Sequence, residues 1–162
     1  MPQTRLPVSD GCLHVLRYFQ SSAHLGERLV VLVAGKTKAG KTYFTRMLSE
    51  FLALEEICVS VIGCDNYFLD IDDRKIPRDS RGYVVFDHPD SYHRDEIIVA
   101  INQLVFGLAV FVPGYDLARN MRVRQNGKNV FPEKVIIVDG LFAIDLAPEI
   151  ETQRVLKIYI DT

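Results

Sequence analysis

Positions 35–42 read GKTKAGKT and satisfy the pattern G-x-x-x-x-G-K-[ST]. The two glycines let the backbone curl until several N–H groups point inward, a cradle for polyphosphate oxygens. A helix starting near Lys41 adds the positive end of its dipole. Gly35, Lys36, Thr37, Lys38, Ala39 and Gly40 are the expected cradle, and Lys41 would reach the β- and γ-phosphates of a nucleoside triphosphate such as ATP. Thr42 would offer its hydroxyl to Mg²⁺, a hard cation that takes oxygen ligands. The alternative is a plain Gly-rich turn carrying a surface lysine. The flanks argue against it, because an apolar run enters the motif and a helical pattern leaves it.

Asp139 is a second residue for the metal side. It closes the run Val135-Ile-Ile-Val-Asp139, and an acid at the tip of a buried strand can hold Mg²⁺ or its water. Alone, it would read as the turn residue before Gly140.

These residues need a scaffold that gathers loop ends. Leu29–Ala34 and Val135–Val138 are short, unalternating, β-branched runs, the pattern of strands covered on both faces. Ile57–Gly63 and Val155–Ile160 read as two further strands. Phe44, Met47, Leu48, Phe51 and Leu52 recur at helical spacing, as do Leu13, Leu16 and Phe19 after a Ser9 or Asp10 cap. Ser91 is expected to cap a third helix, with Asp95 and Glu96 in its first turn and Gly107 ending it. Val110–Val112 reads as a short strand stopped by Pro113. Asn126–Gly127, between Val123 and Val130, reads as a hairpin tip. Residues 66–90 are polar and broken by Pro77, Gly82 and Pro89. Strands alternating with helices predict an α/β fold with a mostly parallel sheet flanked by helices. Ligands bind such sheets beyond the strand C-termini. Asp65, Pro113–Tyr115, Asp139 and the 35–42 loop all follow strand patterns, so four polar sites are expected at one sheet edge.

Composition narrows the class. The 162 residues fit one domain, with residues 1–28 as a leader and short helix and 29–162 as the core. A hydrophobic share of 48% with 25% charged residues excludes a disordered tail. Nineteen Lys and Arg against 21 Asp and Glu give a net charge of −2, which speaks against holding nucleic acid by bulk charge. No apolar run approaches the roughly 18 residues of a membrane span, and Met1–Asp10 lacks the order of a signal peptide. Three cysteines fit free thiols in a reducing compartment, and a cytoplasmic location is expected. Cys58 and Cys64, flanking a strand, are expected to be buried and inert; Cys12 has no evident role.

Several strings come in a telling order: Gly35–Thr42, Asp65-Asn-Tyr-Phe68, Phe86-Asp-His-Pro-Asp90, Pro113-Gly-Tyr-Asp116 with Arg122, and Val135–Phe142. In that order the chain resembles the uridine kinase and phosphoribulokinase family of P-loop kinases, from about Leu29 to Thr162. The resemblance implies a P-loop nucleoside triphosphate hydrolase-like fold and transfer of the ATP γ-phosphate to a hydroxyl of a small substrate. By the same resemblance, Asp65 would take the proton of the acceptor hydroxyl and touch the metal, beside Lys41 as the catalytic cation. Asp87 would bind ribose hydroxyls, since a carboxylate accepts two hydrogen bonds from a vicinal diol. Tyr115 would pack on or bond the nucleoside, and Arg122 would lie near the substrate. A turn cap, a loop acid and a core tyrosine are the plainer readings of Asp65, Asp87 and Tyr115. Arg119, Arg124 and Lys128 are best read as a solvated hairpin face. Arg74, Lys75, Arg78 and Arg81 are most simply a charged loop, and His88 a loop-organising hydrogen-bonder.

The chain departs from the family's pattern in three places. The family's nucleoside kinases follow the acid with Ser-Phe-Tyr; here Asn66-Tyr67-Phe68 loses the terminal hydroxyl at Phe68 or moves it to Tyr67. A base-reading His stands five residues after the family's Tyr; here it is Asn120, which bonds a pyrimidine edge but is never cationic. The family continues past its last strand into an Arg-rich lid, whereas this sequence stops at Asp161–Thr162. The resemblance thus implies a core incomplete at its C-terminus, whose uncovered apolar surface would favour a homo-oligomer. The expected partner is a small hydroxyl-bearing metabolite, nucleoside-like, with pantothenate, glycerate and phosphoribulose as other acceptors. The competing expectation is a nucleotide-binding module without metabolite kinase activity.

Overall fold

The computed structural model describes residues 7–21 and 26–161, so positions 1–6 of the expected leader lie outside the described residues. Helix α1 (Val8–Ser21) precedes strand β1 (Leu29–Gly35), helix α2 (Lys41–Leu54) and strand β2 (Val59–Gly63). Helix α3 (Arg94–Val105) follows, then strands β3 (Val110–Asp116), β4 (Met121–Val130), β5 (Val135–Asp139) and β6 (Val155–Ile160). Short 3₁₀ segments span Cys64–Tyr67, Pro89–Ser91 and Ala143–Glu149.

Strands β2, β5, β1 and β6 form one parallel sheet in that order. Every residue of β1 is buried. Its side chains alternate between two cores. Val30, Leu32 and Ala34 pack with Ile136, Val138 and the α3 residues Ile97, Ile101 and Leu104. Leu29, Val31 and Val33 pack with Ile137 and the α1 and α2 residues Val15, Phe44, Leu48 and Leu52. An unalternating run is therefore what a strand between two helical layers requires. Each buried Leu or Val stabilises the fold by about 1.5–3 kcal/mol, so the central strands anchor both layers.

Helix α1 already begins at Val8, so Ser9 and Asp10 lie in its first turn rather than at the expected cap, and α1 belongs to the core through Cys12, Val15 and Leu16. Arg154 ties α1 down. Its guanidinium donates to the Glu27 carbonyl at 2.6 Å and the Phe19 carbonyl at 3.0 Å, and lies over the Phe19 ring. Among the described residues no helix is long and apolar enough to cross a membrane.

Three local expectations are corrected. The second strand starts at Val59, not Ile57. Glu56 adopts φ 60°, its N–H donates to Ala53 O and that of Ile57 to Leu52 O, so Ile57 closes α2 instead. Cys58 is exposed, while Cys64 is buried as expected. Ser91 does not cap α3; it is fully buried, its hydroxyl donates to Val85 O at 2.6 Å, and His93 occupies the N-cap. Gly107 does end that helix, at φ 84°.

The largest difference is the hairpin. β3 and β4 form a separate antiparallel ribbon, so Pro113–Tyr115 does not end a strand of the parallel sheet. Tyr115 pairs with Arg122 and Asp116 with Met121, which puts the turn at residues 117–120. Asn126–Gly127 lies inside β4, where the register breaks between Val112 and Gly114. Pro113 sits at that break, and its missing N–H cannot continue the ladder. The Asn-Gly pair fills an irregularity there rather than a turn.

Candidate functional site

The sheet register builds the site. Val33 and Gly63 both pair with Asp139, which brings the tips of β1, β2 and β5 level. Loop 35–40 leaves β1, Asp65 stands two residues past β2, and Asp139 ends β5. Lys38 at φ 65° and Gly40 at φ 97° curl the loop, and the Ala39 N–H donates to Lys36 O. Lys41 opens α2, and its Nζ donates to Gly35 O and Lys36 O, both at 2.9 Å. Its ammonium thus spans the loop it would help to charge. The Thr42 hydroxyl donates to Asp139 Oδ2 at 3.2 Å. Gly140, next to Asp139, packs against Cys64, next to Asp65: a Cβ there would sit 2.5 Å from Cβ and Sγ of Cys64.

Charge is concentrated here. Burial pushes the Asp65 carboxyl above the usual carboxylate range; Lys41 opposes this and Asp87 adds to it. Burial also raises Asp139, with the Thr42 hydroxyl and Lys41 pulling it back and Asp65 pushing it further. Two half-desolvated acids facing one ammonium form a site short of positive charge, which a cation would relieve. Beneath them, burial drives the Cys64 thiol far up, so it is inert at neutral pH.

A cleft of about 960 Å³ runs from the loop to the hairpin. Thr37, Lys38, Gly40, Lys41, Thr42, Asp65, Asp87, Asn120 and Asp139 all line it. Most of the residues singled out in the sequence therefore meet in one space. Gly35, Lys36 and Ala39 form the loop behind them. Thr37 donates to both oxygens of Asp87, each at 3.0 Å, so the loop touches the Phe86-Asp87 segment directly.

Two residues are not brought into the cleft. Tyr115 donates its hydroxyl to Leu69 O at 3.0 Å and leans on the Phe68 ring, with centroids 5.6 Å apart. Arg122 faces a different groove, where it pairs with Glu96 at 2.9 Å. Its own N–H donates to Asp70 Oδ1, so β4 presents it away from the loop. Of the other hairpin cations, Arg119 pairs with Asp116 and Arg124 lines the same far groove, whereas Lys128 lines the cleft. Lys128 is thus the one member of the expected solvated face that borders the site. Arg78 bonds Gly82 O and Ile71 O within its own loop, and His88 Nδ1 accepts from the Asp90 N–H, both as loop organisers.

Tyr92 was missed by sequence reasoning. Its ring stacks on Phe68 at 4.4 Å and 24°, and Phe86 meets Phe68 edge-on at 5.4 Å. Tyr92 lines the cleft, and burial, with Asp65, Cys64 and Asp87 nearby, holds its phenol neutral. Tyr67 does not restore the hydroxyl absent from Phe68, since its own is buried without a partner beside the far groove. The signal was position: Tyr92 follows Phe86-Asp-His-Pro-Asp90 by two residues.

The donor set for a metal is sparse and all oxygen. Among the described residues, no three His, Cys, Asp or Glu side chains converge. Mg²⁺ keeps several waters and takes one or two carboxylates plus substrate phosphates, so Thr42, Asp139 and Asp65 fit it.

A model of the phosphoribulokinase and uridine kinase family matches residues 30–162. The chain belongs to that family. The uridine kinase of Chlamydia pneumoniae is 28% identical over 134 residues, covering 83% of this chain and 58% of that one. The inorganic pyrophosphatase TTM2 of Arabidopsis thaliana is 31% identical over 145 residues, 88% of this chain but 19% of that one. A solved structure from Silicibacter sp. TM1040, assigned as a fructose transport system kinase, superposes with a TM-score of 0.75. It is 19% identical, over 98% of this chain and 76% of that one. The family member described here therefore has the P-loop kinase fold. It spans about three-fifths of the uridine kinases it matches.

Proposed function

We propose that this chain is the core of a kinase that moves the γ-phosphoryl group of ATP onto a hydroxyl of a small metabolite. The observation that carries the proposal is the level meeting of Lys41, Asp65 and the Thr42–Asp139 pair at three strand tips. Loop 35–40 would hold the triphosphate and Lys41 would neutralise the oxygens that gain charge. Thr42 and Asp139 would hold Mg²⁺, with Asp65 beside them; when bound, the cation screens charge on the β- and γ-phosphates. Asp65 would accept the proton of the acceptor hydroxyl as its oxygen bonds the γ-phosphorus. The bond from that phosphorus to the β–γ bridging oxygen breaks, and ADP leaves. The raised affinity of Asp65 for a proton suits a base in this step.

A nucleoside of the uridine or cytidine type is the acceptor we infer. The Phe68–Tyr92–Phe86 cluster offers a flat apolar wall, Asp87 a partner for a diol, and Asn120 an amide for a base edge. A second reading is a nucleotide-binding module within a larger protein. It is supported by TTM2, which matches more of this chain than the Chlamydia uridine kinase and is several times longer than the match.

The test is a coupled ADP-release assay with Mg-ATP and a panel of nucleosides, pantothenate, glycerate and ribulose 5-phosphate. Acceptor-stimulated ADP release, lowered about 10²- to 10⁴-fold by Asp65→Asn, is expected. Tight ATP binding with no acceptor stimulation would favour the module.

A further inference from the structure

We propose that Thr37 is a positioning residue that couples the two halves of the site: its hydroxyl aims the Asp87 carboxylate at the acceptor, so the filling of the phosphate loop and of the acceptor side are linked. The inference rests on the kinase reading for the role of Asp87, and on the structure alone for the contact.

Thr37 belongs to the loop and Asp87 to the irregular segment between β2 and α3, fifty residues further on. The hydroxyl lies 3.0 Å from each carboxylate oxygen, so its single proton is shared between them. Among the described residues, no other side-chain hydrogen bond joins loop 35–40 to residues 66–93. A cradle needs only backbone N–H groups from position 37, so its side chain is free for another task. A carboxylate has about four acceptor positions. One shared donor tethers the group to the loop and uses one proton's worth of its acceptor capacity, leaving lone pairs on each oxygen for an acceptor hydroxyl. Thr37 therefore holds Asp87 in place while leaving it able to accept from a ligand. Both groups are open to solvent in the free protein, and bound substrates would cover them, which strengthens the bond.

The coupling is tested by a double-mutant cycle on nucleotide affinity, which needs no acceptor. Calorimetry with a non-hydrolysable ATP analogue and Mg²⁺ is run on wild type, Thr37→Val, Asp87→Asn and the double variant. The effect of Asp87→Asn is expected to differ at least about threefold between the Thr37 and Thr37→Val backgrounds. Additive effects would overturn the proposal, because Asp87 would then act on the nucleotide by charge alone. For an acceptor that the wild type phosphorylates, Thr37→Val is expected to raise the acceptor KM about threefold to tenfold, with kcat little changed. Thr37→Ser, which keeps the hydroxyl, is expected to restore it. An acceptor KM unmoved by Thr37→Val would sink the proposal while leaving the kinase intact. A non-additive cycle without any acceptor activity would keep the coupling and overturn the kinase reading.

Discussion

The two walls of the cleft are built in opposite ways. The wall with loop 35–40, Asp65 and Asp139 is assembled by β-ladder register: Val33, Gly63 and Asp139 stand level because β1, β5 and β2 pair residue for residue. The facing wall, from residue 66 through the hairpin turn, has no such ladder to the sheet among the described residues. It is held by single backbone bonds, Leu69 N–H to Ser91 O, Ile71 N–H to Asn120 O and His93 N–H to Tyr67 O, and by scattered side-chain bonds. Ser91 holds Val85 O, Tyr115 holds Leu69 O, and Asp70 accepts from the Arg122 N–H. A ladder fixes many atoms at once and tolerates little change. Isolated bonds fix one contact each and can be re-cut without loss of the sheet. On the kinase reading proposed above, the phosphoryl chemistry would sit on the rigid wall and the choice of acceptor would fall to the adjustable one.

Phe68→Ala should give the largest effect and the sharpest separation of the walls. Phe68 is 8% exposed and touches Phe86, Tyr92 and Tyr115, so truncation should cost about 3–5 kcal/mol of unfolding free energy in a denaturant titration. Binding of an ATP analogue should survive. A parallel collapse of nucleotide binding would show that the walls are one cooperative unit. Lys41→Met should act on the other side, cutting phosphoryl transfer by about 10²- to 10³-fold in steady-state kinetics. Its unfolding midpoint should stay put, because the ammonium bonds only two loop carbonyls.

The same contrast explains what could be read from the sequence. The register-built wall was legible, because buried parallel strands must be apolar throughout and the cradle needs glycine where φ turns positive. Leu29–Gly35, Asp139 and Gly40 announce themselves on those grounds. The adjustable wall was not. Ser91 looks like a cap but spends its hydroxyl on Val85, a partner no spacing rule reveals. Asn126–Gly127 looks like a turn, yet Pro113 across the ribbon turns it into an interior irregularity. Tyr92 joins the cleft through a backbone bridge and ring stack with Phe68, far back in the chain. Arg122 faces Glu96 because alternation along β4 is set by a turn at 117–120. Each miss depends on a residue far off in the chain.

Gly140→Ala probes the rigid wall at its tightest point. The new methyl would overlap the Cys64 side chain, which is fully buried and cannot withdraw, so about 1–3 kcal/mol of stability should be lost. Because Cys64 precedes Asp65 and Gly140 follows Asp139, the shift should also separate the two acids. A displacement near 1 Å costs on the order of 10²-fold in rate. Retained activity in a destabilised protein would show that this wall adjusts too.

The smallest effect should come from Gly127→Ala, and its value lies in a partner variant. A Cβ at Gly127 would run into the Phe111 ring, but that ring is 56% exposed and free to swing outward. The cost should stay within about 0.5 kcal/mol, as at an ordinary surface position. A Cβ at Gly114, on the opposite strand, would lie 2.5 Å from the Asn126 backbone carbon and 2.7 Å from Val123 O, neither of which can move alone. Gly114→Ala should therefore cost about 1–3 kcal/mol by thermal melt and raise the acceptor KM, since Tyr115 and the 117–120 turn follow it directly. Equal costs for the two variants would mean that the hairpin is as stiff as the sheet, and the division between a fixed and an adjustable wall would fail.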